Sequence, residues 1–360
     1  MKIIQLIQKP QLRGAEMFAS QLSSHLSQLG HEVILVPIYS GNANMPFEGK
    51  VVPLNRSLNK RFWDWQGWKQ FAKIVKEEKP DIIQANAADT LKFAIFSRLF
   101  FAWKVPVIFR NASTISHYIT NLIVKVYNAY LLRKADYVIS VSELSRTDIN
   151  NIYPFTQKKI KVIPVGINFT AIGKVKKNNS AYIVTHVGGF TVEKNHEGLL
   201  RIFDKIKSKH DNALLWLIGD GDKRAEIEQM VKVMGLEQYV EFFGYQTNPM
   251  DYVAVSDVLV LPSKVEGTPG VILEAQYCKT PVIAYDVGGV PELIHSSDIG
   301  WLIKKDDEIG FVNALEEVLE GNKEEIKVIC NNAYQQVLAN YDNKIIAKKF
   351  EAMYKHLLTK

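Results

Sequence analysis

Residues 261–293 read LPSKVEGTPGVILEAQYCKTPVIAYDVGGVPEL. An apolar run ends near Leu261, Gly267, Pro269 and Gly270 make a loop, and Gly270 opens a helix predicted over Val271–Tyr277. That order gathers free backbone N–H groups and the positive end of the helix dipole at one point, a ready diphosphate site. Glu266 falls in the loop and Glu274 a turn inside the helix. Carboxylates on both sides of a bound phosphate accept hydrogen bonds from hydroxyls, which fits a sugar on one side and a ribose on the other. The bland reading is one Glu favouring the dipole and a second on the surface. It leaves unexplained the glycine loop and Val287-Gly288-Gly289-Val290-Pro291-Glu292 downstream.

The same alternation of short apolar runs and amphipathic stretches fills the chain, the pattern of βα units and parallel sheets. Strands are predicted at Lys2–Ile7, Glu32–Pro37, Asp81–Gln84, Val105–Phe109, Tyr137–Val141 and Ile160–Ile163. A second set falls at Tyr182–Val187, Ala213–Ile218, Val240–Phe243, Val258–Leu261 and Pro281–Ala284. Helices such as Ala15–Leu29 and Trp65–Glu78 lie between, and Gly30 falls where a C-cap glycine belongs. Both halves open as strand, glycine (Gly14, Gly188), helix, and Asn168–Asn179 has little apolar periodicity. The expected architecture is α/β: two doubly wound, Rossmann-like domains, 1–168 and 169–340, facing a central cleft.

The composition agrees. At 360 residues, 47% hydrophobic and 23% charged, the chain suggests two domains and excludes collagen-like, disulfide-rich and disordered classes. Cys278 and Cys330 are too few for a disulfide framework and suit a reducing compartment. The opening MKIIQLIQKPQLRGAE turns polar after seven residues, so it is not read as a signal peptide. Lys92, Arg98 and Lys104 interrupt Leu91–Phe109, a poor spanning helix. The net charge of +6 divides unevenly: residues 1–168 carry 22 Lys and Arg against 11 Asp and Glu, and the remainder 22 against 27. Either the basic half is an ordinary solvated surface, or it meets something anionic.

On the Glu266–Glu274 segment the sequence resembles the family 4 retaining glycosyltransferases, of the GT-B fold, whose signature is a Glu, seven residues and a second Glu, here EGTPGVILE. ADYVISVSE (135–143), VIPVGIN (162–168), GGFTVEKNHEGLL (188–200), LIGDGDKRAEIE (217–228) and VEFFGYQ (240–246) resemble further markers in order. The bacterial enzymes of surface-polysaccharide synthesis are the nearest type. By this resemblance Glu266 holds hydroxyls of the transferred sugar, and Lys194 neutralises the leaving diphosphate. Gly270 and Val271 give amides to that diphosphate, with Thr268, Pro269, Gly188, Gly189 and Gly219 around it, and Glu274 grips the ribose. Tyr245 either meets the nucleotide base or packs. Gly14 lets backbone approach the donor phosphates, Arg13 is a candidate phosphate contact, and Glu16 serves its helix start. Asp220 caps a helix at most. A closing helix in 341–360 is expected to pack back on the first domain.

The chain also departs from the family pattern. Gly189 stands where many members carry an Arg. No histidine occupies the cleft end of the fourth strand, so Arg110 and Asn111 are taken as catalytic substitutes, with His117 a further candidate. An HxH-like pair has become Gln84-Ala85-Asn86. Retaining transfer of this type uses the donor's own phosphate as base, with no protein nucleophile. The one Asp-x-Asp spacing, Asp220-Gly221-Asp222, is read as part of a helix start and not as a metal motif. No His or Cys cluster has ligand spacing, so metal-independent catalysis without a cofactor is expected, with UDP favoured over GDP as carrier.

Residues 59–76, NKRFWDWQGWKQFAKIVK, interleave tryptophans with Lys and Arg. Such a mix reads as an interfacial membrane segment or as a core-facing helix with a solvated basic side. Leu91–Trp103 and Ile119–Lys134 add apolar, basic surface. These features favour a lipid-linked glycan acceptor and a cytoplasmic enzyme peripheral on the inner face of an anionic membrane. Nucleic acid is not expected, since no motif for it accompanies the charge. A soluble transferase for a small or polymeric acceptor, and an epimerase or inactive sugar-nucleotide binder of the same fold, stay open.

Overall fold

The computed structural model describes residues 1–11, 14–169, 173, 175–176 and 181–359. The chain forms two compact units, Met1–Asn168 with Asn343–Lys360, and Phe169–Asp342.

In the first unit β1 (Lys2–Ile7), β2 (Glu32–Pro37), β3 (Lys50–Val51), β4 (Ile82–Ala85), β5 (Val107–Asn111), β6 (Tyr137–Ser140) and β7 (Ile160–Val162) make one sheet. Its order is β3-β2-β1-β4-β5-β6-β7, and every pair is parallel. Ile4 and Leu6 enter a core with Trp68, Phe71 and Ile95, whereas Ile3 and Ile7 enter another with Phe18, Phe350 and Tyr354. Helices therefore cover both faces, which is why these strands are continuous apolar runs. The helix Asn343–Leu358 lies beside Gly14–Gln28 and buries Ile346, Ala347, Phe350, Met353 and Tyr354.

The second unit has β8 (Tyr182–Val187), β9 (Ala213–Ile218), β10 (Val240–Gly244), β11 (Val258–Leu261), β12 (Val282–Tyr285) and β13 (Trp301–Ile303). Their order is β10-β9-β8-β11-β12-β13, again all parallel. Both sheets are doubly wound, reversing between β1 and β4 and between β8 and β11. Ligands of such sheets bind beyond the strands' carboxyl ends at the reversal.

Several predicted bounds shift by one residue, and three larger details differ from the sequence reading. β3 and β13 are additional strands of two and three residues, too short to show a period. β5 runs two residues later than predicted because Arg110 and Asn111 keep register with Ile139 and Ser140 of β6. The closing helix starts at Asn343, whose amide donates to the Ile167 carbonyl at 3.0 Å. Gly30, at φ +86°, takes the left-handed turn that ends Gly14–Gln28.

Candidate functional site

Two loops leave the second sheet at its reversal, one after β8 and one after β11. The first ends in the short 3₁₀ turn Val192–Lys194, followed by Asn195 at φ 55°. Asparagine tolerates that left-handed backbone better than most residues. Asn195 Nδ2 donates to the Pro262 carbonyl at 3.0 Å, and the Lys264 amide donates to the Glu193 carbonyl at 2.7 Å. These two bonds clamp loop to loop. Lys194 Nζ then lies 2.6 Å from Glu266 Oε1, with the carboxylate buried and the lysine partly open to solvent.

Beneath the lysine sit two histidines, His186 and His196, with ring centroids 4.8 Å apart. Burial, and then the neighbouring positive groups, hold His186 well below the ordinary histidine range and lower His196 to about 4. Both are neutral at physiological pH, so Lys194 supplies the positive charge of this corner.

Glycines set the shape of the loops. At Gly219 (φ +139°) a Cβ would fall 2.0 Å from the Gly188 carbonyl oxygen, and at Gly288 (φ +56°) one would fall 1.9 Å from that of Glu266. The Gly289 amide donates to the Gly267 carbonyl at 2.6 Å. The downstream glycine pair thus moulds the turn that carries Glu266 and Thr268, a job its spacing did not reveal. Gly189 differs: a Cβ there meets nothing nearer than 3.6 Å, so the position has room for a side chain.

The helix Gly270–Tyr277 has Pro269 at its N-cap and no side chain capping it. A Cβ at Gly270 would touch nothing within 4 Å, so backbone and Val271 stand open to an approaching anion. Part of the Glu274 side chain reaches solvent, yet enough protein surrounds it that burial pushes its carboxyl up to about 7. Tyr245 is 45% exposed, so packing does not use up its ring. Burial, and then the charge of Glu274, raise its phenol. Asp220 does not cap a helix: its carboxylate accepts the Gly221 amide at 2.7 Å and pairs with Arg224 at 3.2 Å. Among the described residues no three His, Cys, Asp or Glu side chains gather as a metal site.

In the first unit Gly14 opens its helix with free space around it, and Arg13 lies outside the described residues. Arg110 is 2% exposed and lies over the Phe18 ring, 4.1 Å from its centroid. Burial works against its charge, and Glu16 and then Tyr354 work for it. It therefore packs against the helix that carries Gly14 and Glu16, with its Nε and Nη1 buried and without a hydrogen-bond partner. Asn111 is buried too, its Nδ2 at 3.4 Å from Ser140 Oγ. His117 is exposed on the turn Ile115–Tyr118.

Gln84 and Asn86, the altered HxH-like pair, prove structural. Gln5 Nε2 donates to Tyr354 Oη (3.3 Å), Tyr354 Oη to Gln84 Oε1 (2.6 Å), Gln84 Nε2 to Asn86 Oδ1 (2.9 Å) and Asn86 Nδ2 back to Gln5 Oε1 (2.9 Å). This closed, buried ring fastens the closing helix to β1 and β4, and no sequence period announced it.

Two doubly wound units, one with a lysine–glutamate pair and an uncapped helix start at its reversal, define a protein of the GT-B fold. Residues 169–336 match the family described as glycosyl transferases group 1, and residues 12–170 match glycosyltransferase family 4. The chain belongs to the family 4 glycosyltransferases. It is 32% identical over 181 residues to the N-acetyl-alpha-D-glucosaminyl L-malate synthase of Bacillus anthracis, a match covering 50% of this chain and 47% of that protein. The chain thus spans about half the length of that relative. It is 26% identical to the amylovoran biosynthesis glycosyltransferase AmsD of Erwinia amylovora, over 94% of each chain. Among solved structures it resembles Anabaena HepE in complex with UDP and glucose, at TM-score 0.84 and 18% identity, covering 99% of this chain and 100% of that one.

Proposed function

We propose that the protein is a retaining, metal-independent glycosyltransferase. It moves a hexosyl or N-acetylhexosaminyl group from a UDP-sugar to a lipid-linked glycan in surface-polysaccharide biosynthesis. The observation that carries this reading is the Lys194–Glu266 pair, 2.6 Å apart beside the open start of Gly270–Tyr277. In the free enzyme each charge answers the other. With donor bound, Lys194 turns to the diphosphate and Glu266 to the sugar hydroxyls, while Glu274 accepts the ribose hydroxyls. The C1–O bond to phosphate breaks and the acceptor oxygen bonds C1 on the same face, its proton passing to the leaving phosphate oxygen. Lys194 and the helix amides stabilise the charge that grows there, and no protein nucleophile is needed. The relatives' roles in polysaccharide synthesis and the UDP of the structural neighbour support the choice of donor and pathway class, and the basic first unit supports work at the cytoplasmic face of an anionic membrane.

The test is product analysis with UDP-sugars and a lipid-diphosphate glycan acceptor. Expected are an α-configured product from an α-donor, unchanged rates in EDTA, and a loss of roughly a hundredfold or more in kcat for Lys194→Ala and Glu266→Ala with folding retained. An inverted product, or activity lost in EDTA and restored by Mn²⁺, would refute the mechanism.

A further inference from the structure

The first unit carries an exposed aromatic and aliphatic surface that its own core does not use. Phe62 is 83% exposed, Trp63 65% and Trp65 45%. They are not isolated: Trp63 and Trp65 both touch Phe100, at 5.8 and 5.2 Å between centroids, and Phe100 stacks on Phe96 at 6.3 Å. Phe96 in turn meets Tyr127 at 6.3 Å, on the helix Leu122–Lys134. That helix buries only Leu131 and Leu132 and turns Leu122, Ile123, Val126 and Tyr127 outward as an exposed apolar patch. Ring contacts thus join three segments into one continuous apolar face. A helix exposed this way has no reason to keep leucine and isoleucine outermost unless something apolar covers them.

Charge says what covers it. Lys60, Lys69 and Lys125 stand exposed among these side chains, Lys69 one turn from Trp65 on the same helix. Among the described residues none of the three is paired with a carboxylate. The nearby acids are already satisfied within the unit: Asp64 by Arg56 at 2.8 Å and Asp89 by Arg61 at 2.8 Å. Protein interfaces are depleted of lysine and keep their charges at a rim. Tryptophan and phenylalanine interleaved with unpaired lysines match instead the headgroup layer of an anionic bilayer, where rings sit at the interface and ammonium groups reach lipid phosphates.

We propose that this face, from Phe62–Trp65 across Phe100 to Leu122–Tyr127, docks on an anionic phospholipid bilayer. The proposal rests on the membrane part of the reading above and names the surface responsible. The test is flotation of the full chain with vesicles of phosphatidylcholine alone and of equal parts phosphatidylcholine and phosphatidylglycerol. Wild type is expected to float with the anionic vesicles and much less with the neutral ones, and to be released in part by salt. A Phe62→Glu/Ile123→Glu variant replaces two side chains that are more than three-quarters exposed, so it folds. Its bound fraction is expected to fall about tenfold or more, since two apolar side chains that would enter the bilayer become carboxylates that an anionic surface repels, while the thermal shift produced by UDP stays that of wild type. Wild type that fails to float, or a variant that floats equally well, overturns the proposal. So does a wild-type dimer that the variant turns into a monomer, which would assign the face to a second copy. Flotation without any glycosyl transfer would leave the docking face standing and remove the catalytic reading instead.

Discussion

At the scale of single residues, Glu274 carries a cost that the proposed ribose contact would account for. Its carboxyl titrates near 7 in the folded chain because burial disfavours its charge, against 4.5 when exposed. Between those values the native state holds a proton that the unfolded state has released, so stability is expected to fall as pH rises from about 4.5 to 7. Allowing for the part of the side chain that water reaches, the loss above pH 7 is about 2–3 kcal/mol. Glu274→Gln removes that slope: thermal unfolding is expected to show it more stable than wild type at pH 8 and nearly equal at pH 4.5. On the proposed function the same substitution is expected to weaken nucleotide binding, because ribose hydroxyls donate better to a carboxylate than to an amide. In wild type, UDP affinity gains with pH up to about 7 beyond any gain in the variant, which cancels the nucleotide's own titration. A variant as pH-dependent as wild type would remove Glu274 from both roles.

At the scale of elements, the loops at the second unit's reversal hold the site. Gly288→Ala asks for a Cβ 1.9 Å from the Glu266 carbonyl oxygen at a positive φ, and backbone cannot yield there cheaply. The expected result is a drop of about tenfold or more in kcat with a stability loss of about 1–3 kcal/mol, read by steady-state rates and denaturant unfolding. Gly14→Ala, in open space, is the stability control. The comparison also separates what sequence reveals from what it hides. β1, β2, β8, β9 and β11 stand at the residues their apolar runs predict, because a strand buried on both faces leaves an unbroken run. Loop geometry is different. The segment 261–293 announces a phosphate-binding turn, but the Asn195–Pro262 bond, the neutral histidines under Lys194 and the packing of Gly288 on Glu266 join residues distant in the chain. Residues 59–76 show both halves of one ambiguity. Trp68 and Phe71 are core, as a helical stripe implies, whereas Phe62, Trp63 and Trp65 are outward.

At the scale of the whole molecule, the chain's last helix completes its first unit. Gln5 and Tyr354 are 349 positions apart, and the bond between them belongs to a ring in which four groups each donate once and accept once. Glutamine and asparagine suit that geometry because each amide offers a donor and an acceptor on one rigid plane. The departure from the family's histidines at Gln84 and Asn86 therefore has a structural use. Tyr354→Phe leaves Gln5 Nε2 and Gln84 Oε1 buried without this partner, so it is expected to destabilise the first unit by about 2 kcal/mol. Ending the chain at Asp342 does far more. It strips Ile346, Ala347, Phe350, Met353 and Tyr354, each 2% exposed or less, from the core beside Phe18. At about 1.5–3 kcal/mol for each large side chain, that loss is comparable with the about 5–15 kcal/mol that holds a domain folded. Calorimetry is expected to show the first unit's transition lowered in Tyr354→Phe and absent in the truncation. The transition of residues 169–342 is expected to remain and still to rise on addition of UDP, since Lys194, Glu266 and Glu274 all lie within it. A truncated chain that keeps both transitions would mean that the ring and the closing helix add nothing to the first unit's stability.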